Sequence, residues 1–547
     1  MTGLRAVVVV PARDEEQRIG ACVRALGAQR GVGADAYEVV VVLDQCSDRT
    51  RAAAEAAAAE VATAVRVVMS PVAGVGAARR HGMELACARL LGAGRLDGLI
   101  ATTDADTLVA PDWLAAQLAL ADRGAEAIGG AIELVAEDAR NLAAATLARR
   151  EARAEQRLRA VRAADRDAEH HYFSGASMAV TARTYRAVGG IEARAALEDE
   201  AFESRLVAAG VRIARSSAVR VTTAARTDGR AARGLARDLE LGEWLSRRRY
   251  DGRAFHAREL LGRKGGATIS VVLPARDCAD TVERVLATAV MPFAESGLVD
   301  QVLVVDGASR DATVARAARA GAEVHGEDDL LPELGPALGK GDAMWRALSV
   351  ADGDIVVFMD ADTADPHPAH LLGLLGPLLG DPAVHFVKAA FERPFRTATG
   401  AVHPNEGGRV TELMARPLLN LHFPALAGFA QPLAGETAAR RELLRAVPFA
   451  AGYGVEVGLL IDALHAVGLD GLAESRVGTR QNRHQPLRDL GPMAFAVLCA
   501  VERRAGRDPA TAPTPQGLVQ PWVAGAVRDV PVEERPPLRD VPVGAAR

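Results

Sequence analysis

Two α/β domains in tandem, each a mostly parallel sheet with flanking helices, followed by a disordered C-terminal tail, are predicted for this 547-residue chain from three observations. Short, continuous β-branched runs alternate with alanine-rich stretches, the pattern of buried parallel strands joined by crossover helices. Three landmarks recur in the same order at offsets of 263, 262 and 256 residues, which reads as a duplication of one fold. Near the end, eight prolines fall between Pro509 and Pro542, and Arg-Asp-Val-Pro-Val occurs twice.

The elements follow in order. Ala6 to Val10 form a first strand ending in Pro11-Ala12-Arg13-Asp14, and Ile269 to Leu273 form its counterpart, ending in Pro274-Ala275-Arg276-Asp277. Val39 to Leu43 deliver Asp44, with Ser47-Asp48-Arg49-Thr50 behind it; Val302 to Val305 deliver Asp306, with Ser309-Arg310-Asp311-Ala312-Thr313. Helical stretches follow at Arg51 to Ala64 and Val314 to Ala320. Leu99 to Thr103 then lead into Asp104-Ala105-Asp106, and Ile355 to Met359 into Asp360-Ala361-Asp362. Ligands of open α/β sheets sit beyond the carboxyl ends of the strands, where all three landmarks fall. Ala139 to Ala164, rich in Ala, Arg and Glu, reads as a long solvated helix. Gly262-Arg263-Lys264-Gly265-Gly266 reads as the linker. The expected domains are therefore 1–262 and 263–506, with a tail at 507–547.

Composition narrows the function. Sixty-five Lys and Arg against 70 Asp and Glu give a net charge of −5 without a long basic block, which argues against a nucleic-acid partner. No run of 18 apolar residues and no leader pattern occur, so the cytoplasm is the expected location and no transmembrane segment is expected. Five cysteines without a CxxC pair suggest neither a disulfide framework nor a zinc site. Only Lys264, Lys340 and Lys388 are lysine among the 65 basic residues, which makes each of them a candidate for a specific role.

Four Asp-x-Asp triplets occur. Asp165/Asp167 lies among helical charges and Asp352/Asp354 in a turn, whereas Asp104/Asp106 and Asp360/Asp362 each end a hydrophobic strand. Carboxylates there suit Mg²⁺ or Mn²⁺, hard cations that bridge to a diphosphate and neutralise its charge as it departs. The plainer reading is a solvated strand end.

Taken together, the Pro-Ala-x-Asp, Asp with Ser-Asp-x-Thr or Ser-x-Asp-x-Thr, and Asp-x-Asp strand ends resemble the nucleotide-sugar glycosyltransferases of the GT-A (Rossmann-like) fold, in both halves. The resemblance implies that Pro11, Arg13, Glu15, Asp44 and Asp104 hold the first half's donor, with Asp106 on the metal. It implies Pro274, Asp277 and Asp306 for the second half's nucleoside. The second half departs where Glu15-Glu16 is replaced by Cys278-Ala279.

Residues 268–500 further resemble glucosyl-3-phosphoglycerate synthase, of glycosyltransferase family 81. The matching segments include Leu338-Gly339-Lys340-Gly341-Asp342-Ala343, Gly407-Gly408-Arg409-Val410-Thr411-Glu412-Leu413 and Gly452-Tyr453-Gly454-Val455-Glu456. The resemblance implies that Lys340 and Arg480 contact the donor, and that Asp360 and Asp362 serve donor and metal. Tyr453 and Glu456 would line the sugar pocket, with Asp360 and Glu456 at the reaction centre. Gly408, Arg409 and Thr411 would cradle 3-phosphoglycerate, as amides of a Gly-Gly turn, an arginine fork and a hydroxyl can. The implied partners are UDP-glucose and 3-phosphoglycerate, and a homodimer is compatible with them. The family's metal-binding histidine falls at Asn482, with His484 two residues on; if the segment is extended, both face the same way and either is a candidate ligand.

The first half has Val75 where Lys340 would align, and no Gly-Gly-Arg-x-Thr. Phe173 to Val180, Gly189-Gly190 and Leu197-Glu198-Asp199-Glu200 resemble glycosyltransferase family 2, and Arg226-Thr-Asp-Gly-Arg230 resembles that family's late basic motif. By that resemblance Asp199 is the general base for an acceptor hydroxyl. A helix-capping Glu-Asp pair is the alternative.

Overall fold

In the computed structural model, residues 3–194, 196–229, 233–396, 401–403, 407–480, 486–506, 518–519 and 527–541 are described. The chain divides into two compact units, Met1–Glu243 and Trp244–Arg547.

In the first unit, β1 (Ala6–Ala12), β2 (Tyr37–Leu43), β3 (Ala64–Met69) and β4 (Leu99–Thr102) are mutually parallel. β5 (Thr107–Val109), β6 (Ala127–Leu134), β7 (Met178–Thr181) and β8 (Ile213–Thr223) complete a sheet of order β3-β2-β1-β4-β7-β6-β8-β5, with β7 antiparallel to both neighbours. The valine runs explain why β1 and β2 lie inside. Val8, Val10, Val39 and Val41 pack into the core on one face, and Val7, Val9, Val40 and Val42 into the core on the other. Strict alternation with both faces apolar requires helices on both sides. The helix Val75–Gly92 packs closely, since a Cβ on Gly82 would lie 2.3 Å from Val9 Cγ1. The solvated helix spans Ala144–Ala164 and buries only Thr146.

The second unit repeats this order. β9 (Arg249–Asp251), β10 (Ile269–Ala275), β11 (Gln301–Asp306), β12 (Glu323–Gly326), β13 (Ile355–Phe358) and β14 (Phe386–Glu392) come first along the chain. A small ribbon, β15 (Phe395–Arg396) with β16 (Val402–His403), precedes β17 (Thr437–Arg440), β18 (Phe449–Ala450) and β19 (Leu472–Thr479). The sheet runs β12-β11-β10-β13-β17-β14-β19-β9, with β17 antiparallel to both neighbours as β7 is. Seven strands match the first sheet in order and direction; the eighth does not. β9 joins the edge of β19 in parallel, and it comes from residues that precede the repeat.

That edge strand moves the domain boundary. Residues 244–262, assigned from sequence to the first domain, pack on the second: Trp244 Nε1 donates to Leu472 O at 2.8 Å, and Leu260 is wholly buried in the second core. The expected linker is no free hinge either. Gly262, Arg263 and Lys264 finish the helix Ala257–Lys264, and Lys264 Nζ donates to Gly297 O at 2.9 Å and pairs with Asp300. One of the three lysines is thereby structural.

The tail, expected to be disordered throughout, includes packed residues among 529–541. β22 (Glu534–Arg535) pairs antiparallel with β18, while β20 (Leu518–Val519) and β21 (Val527–Arg528) pair with each other. Leu538 is buried, so the segment has apolar anchorage that its proline count conceals. No helix among the described residues is long and apolar enough to cross a membrane.

Candidate functional site

The Asp-x-Thr motif shared by the two halves (Asp48/Thr50 and Asp311/Thr313) staples two strand ends together. In the first unit Asp48 Oδ1 accepts the Thr50 amide (2.9 Å) and Oδ2 the Glu16 amide (3.1 Å), while Thr50 Oγ1 accepts the Glu15 amide (2.7 Å). In the second, Asp311 Oδ1 accepts the Thr313 amide (2.9 Å) and Oδ2 the Ala279 amide (3.0 Å), while Thr313 Oγ1 accepts the Cys278 amide (2.8 Å). Every acceptor here meets a backbone N–H, so the exchange of Glu15-Glu16 for Cys278-Ala279 leaves the turn unchanged. Asp14 and Asp277 both have positive φ, 47° and 49°, and accept the amides of Ser47 (2.6 Å) and Arg310 (2.8 Å). One oxygen of Asp277, expected from the resemblance to contact the nucleoside, thus holds the turn that presents the site.

Asp306 is different. Its Oδ2 accepts the Ser309 amide at 2.9 Å, but buried Oδ1 has no partner among the described residues. A desolvated carboxylate oxygen without a donor is costly and suits a ligand N–H or O–H. In the first unit Asp44 Oδ1 accepts the Gly74 amide at 3.0 Å, and Arg13 lies 3.8 Å from Oδ2.

Beyond the end of β13 in the second unit, Lys340, Asp360, Glu456 and Arg480 meet. Lys340 opens the helix Lys340–Ala347 after Gly339 (φ 128°), and its Nζ donates to Asp360 Oδ1 (2.7 Å) and Glu456 Oε1 (2.9 Å). Arg480, which directly follows β19, is buried and reaches Asp360 (2.9 Å), Asp362 (3.3 Å) and Glu436. Burial acts to raise the Asp360 carboxyl, yet Lys340 and Arg480 outweigh it and hold it well below the usual carboxylate range. Asp362 is open, with its side chain 64% exposed. Tyr453 is also exposed, beside Glu456 at the start of the helix Val455–Val467. Asn482 and His484 lie outside the described residues. Gly408 has φ 78°, with Arg409 next and Thr411 buried behind it.

The first unit rebuilds the same cluster with other residues. Arg79, one turn after Val75, is buried and donates to Asp104 Oδ1 (2.7 Å), Glu198 Oε1 (3.0 Å) and Thr102 Oγ1 (2.7 Å). It stands to Asp104 and Glu198 as Lys340 stands to Asp360 and Glu456. Arg226 follows β8 as Arg480 follows β19, and joins Asp106 (2.5 Å) to Glu15 (2.9 Å). Burial and the neighbouring Asp104 push the Asp106 carboxyl up to about 6, against the pull of Arg226. Asp199 Oδ2 accepts the Gly175 amide (3.0 Å) and Oδ1 the Glu200 amide (2.9 Å). The predicted base is therefore anchored at the helix start, with further lone pairs on each oxygen.

Sequence reasoning missed Arg79, Glu198 as its partner, Glu436, Gly435 and Arg393. An arginine at i+4 from the aligned Val75 was the available signal for the first, since it shares that residue's helix face. Gly435 leaves room for Asp360, whose Oδ1 would lie 2.3 Å from an added Cβ. Arg393 borders the Gly407-Gly408 turn, accepting the Gly407 amide on its carbonyl at 2.8 Å, and its buried Nε has no partner among the described residues. Lys388 is buried, donating to Ala434 O (2.7 Å) and Thr437 Oγ1 (3.2 Å); burial pushes its ammonium down to about 8.

Comparison with known proteins finds glycosyltransferase family 2 models on both halves of the chain. The model for "Glycosyltransferase like family 2" matches residues 5–237, and that for "Glycosyl transferase family 2" matches 270–425. The molecule is thus a tandem glycosyltransferase, a hexosyltransferase by its relatives. Glucosyl-3-phosphoglycerate synthase of Mycolicibacterium paratuberculosis is 45% identical over 289 residues, which are 52% of this chain and 87% of that protein. The chain belongs to the glucosyl-3-phosphoglycerate synthase family. Among solved structures, the Mycobacterium tuberculosis glucosyl-3-phosphoglycerate synthase in complex with Mn²⁺, UDP-glucose and phosphoglyceric acid is 41% identical, covering 52% of this chain and 95% of that one, with a TM-score of 0.47. Mannosyl-3-phosphoglycerate synthase of Rubrobacter xylanophilus is 50% identical, covering 48% and 83%, with a TM-score of 0.45.

Proposed function

We propose that the second unit transfers glucose from UDP-glucose to the 2-hydroxyl of 3-phosphoglycerate with retention of configuration, and that the first unit is a second nucleotide-sugar glycosyltransferase. The observation that carries the first reading is the Lys340–Asp360–Glu456–Arg480 cluster beyond β13, beside the open carboxylate of Asp362. Asp306 Oδ1, buried and without a partner among the described residues, supports a nucleoside contact between Pro274 and β11. Tyr453 and Glu456 then face the sugar, and Gly408, Arg409 and Thr411, with Arg393 beside them, take the acceptor's phosphate or carboxylate.

An exposed carboxylate at a strand end fits a hard divalent cation, so Asp362 would hold Mg²⁺ or Mn²⁺, with Asp106 its counterpart in the first unit. When bound, the ion neutralises charge on the departing nucleoside diphosphate. Lys340 adds a fixed cation and Glu456 a fixed acceptor for sugar hydroxyls. Retention is supported by the start of the helix Val455–Val467, where Glu456 is the only acid and is tied to Lys340. The corresponding turn of the first unit carries Glu198, Asp199 and Glu200. With Glu198 tied to Arg79, Asp199 remains as the base for an inverting reaction there.

The full chain, UDP-glucose, 3-phosphoglycerate and Mg²⁺ are expected to give an α-linked glucoside, read by NMR. In Asp362→Ala, kcat/KM should fall on the order of a hundredfold, as when one electrostatic stabiliser of a transition state is lost. Unchanged turnover in Asp362→Ala, or preference for GDP-mannose, would overturn the assignment of that residue or of the donor.

A further inference from the structure

The segment 529–541 lies against the back of the donor site. β22 pairs with β18, Phe449 opposite Arg535 and Ala450 opposite Glu534, and the Ala451 amide donates to Glu533 O at 2.9 Å. At the next residue, a Cβ on Gly452 would lie 2.7 Å from Pro531 O, so the chain turning into Tyr453 and Glu456 is pressed against this segment. Arg535 then reaches past β18. Its Nε donates to Asp342 Oδ1 (2.8 Å) and its Nη2 to Asp342 Oδ2 (2.7 Å), a bidentate pair in which Asp342 is fully buried. Pro536 O accepts Trp345 Nε1 at 2.9 Å, and the Arg535 guanidinium lies 5.7 Å from the Trp345 ring centre.

Asp342 matters because of where it sits. It lies in the first turn of the helix that Lys340 opens, its Oδ2 accepts the Leu338 amide at 2.9 Å, and its own amide donates to Ala451 O at 3.1 Å. Asp342 thus ties the loop before Lys340 to the strand before Glu456, and both of those residues grip each other at 2.9 Å. Gly341 packs so tightly on Ala450 that an added Cβ would lie 1.9 Å from its carbonyl oxygen. Arg346 also neutralises Asp342, at 3.3 Å, but from the same helix, where it cannot fix that helix against β18. Arg535 can, because it belongs to the strand bonded to β18.

We infer that Arg535 is a positioning residue for the donor site, and that the C-terminal segment is a strap that sets Lys340 against Glu456 through Asp342. It touches neither donor nor acceptor. The inference rests on the donor assignment of Lys340 above. A bidentate guanidinium–carboxylate pair fixes orientation as well as charge, so removing it loosens the angle of the helix start rather than unfolding the sheet. Misplacement of a binding group by a fraction of an ångström to one ångström lowers catalytic efficiency on the order of tenfold to a hundredfold.

The test uses the full chain with Arg535→Ala, Arg535→Lys and Trp345→Phe, the last removing the hydrogen bond to Pro536 O together with part of a buried ring beside Arg535. In Arg535→Ala, amide exchange at Leu338–Ala343 is expected to rise while protection in β10 and β11 is kept. kcat/KM for UDP-glucose should fall on the order of tenfold to a hundredfold, with KM for 3-phosphoglycerate unchanged. Arg535→Lys, which returns one cation to Asp342, should recover part of the loss, and Trp345→Phe should show the same donor-selective change in weaker form. Unchanged exchange at Leu338–Ala343, unchanged donor kinetics, or equal losses toward donor and acceptor would overturn the strap. Exchange is read without substrate, so it decides the strap even if the wild-type chain transfers no glucose, a result that would instead overturn the donor assignment.

Discussion

Lys340 and Arg79 lie one helical turn apart on equivalent helices, yet each ends between an aspartate after the strand β13 or β4 and a glutamate that begins a later helix. One turn is about 5.4 Å of rise, and the longer, forked arginine spans it while also reaching Thr102. The conserved quantity between the two halves is therefore a buried cation between two carboxylates, carried by different residues. Room for the cluster depends on small neighbours. Gly175 and Gly435 approach so closely that an added Cβ would lie 2.4 Å from Arg79 Nη2 and 2.3 Å from Asp360 Oδ1. Gly435→Ala is expected to push Asp360 off Lys340 and lower kcat/KM on the order of tenfold or more, with the thermal unfolding of the full chain little changed. Steady-state kinetics beside a melting curve checks it, and wild-type kinetics in that variant would show the contact to be soft.

The two stapled turns show how secondary elements are set before any ligand arrives. Thr50 and Thr313 each stand at the start of a helix and bond back to the turn after the first strand, so one hydroxyl fixes the angle between strand and helix. Thr313→Ala should lose about 1–2 kcal/mol, the cost of a buried hydrogen bond removed on one side, and Thr50→Ala a similar amount from its own unit. Denaturant melts followed by hydrogen exchange in each unit would measure both. The strands that carry these turns were readable in the sequence, because valine runs buried on both faces end in proline and aspartate. Asp360, Lys340 and Glu456 were found through the motifs they sit in, and the structure brings them together. Arg79 was not found, because alignment on Val75 looks for the cation at the wrong turn. Glu436 and Arg393 were not found, because each becomes meaningful only when strands distant in sequence are neighbours in the sheet. The packed part of the tail was hidden by its prolines, since pairing with β18 and the burial of Leu538 are tertiary effects that override composition.

Across the whole molecule, one topology appears twice, and each sheet carries its own acid-and-cation cluster. If each cluster serves its own reaction, Asp360→Ala in the full chain abolishes glucosylation of 3-phosphoglycerate and leaves any nucleotide-sugar hydrolysis by the first unit in place, while Asp104→Ala does the reverse. Product analysis of the two variants side by side checks this, and loss of both activities in either variant would contradict it. The eighth strand is where the copies part. β5 closes one edge from within its repeat, whereas β9 closes the other from Arg249–Asp251, ahead of the repeat. A chain cut at residue 263, where the duplication alone would place the border, keeps every motif but strips β19 of its outer partner. Its row of backbone amides and carbonyls would then be open to pairing with any extended segment, including the same edge of another copy.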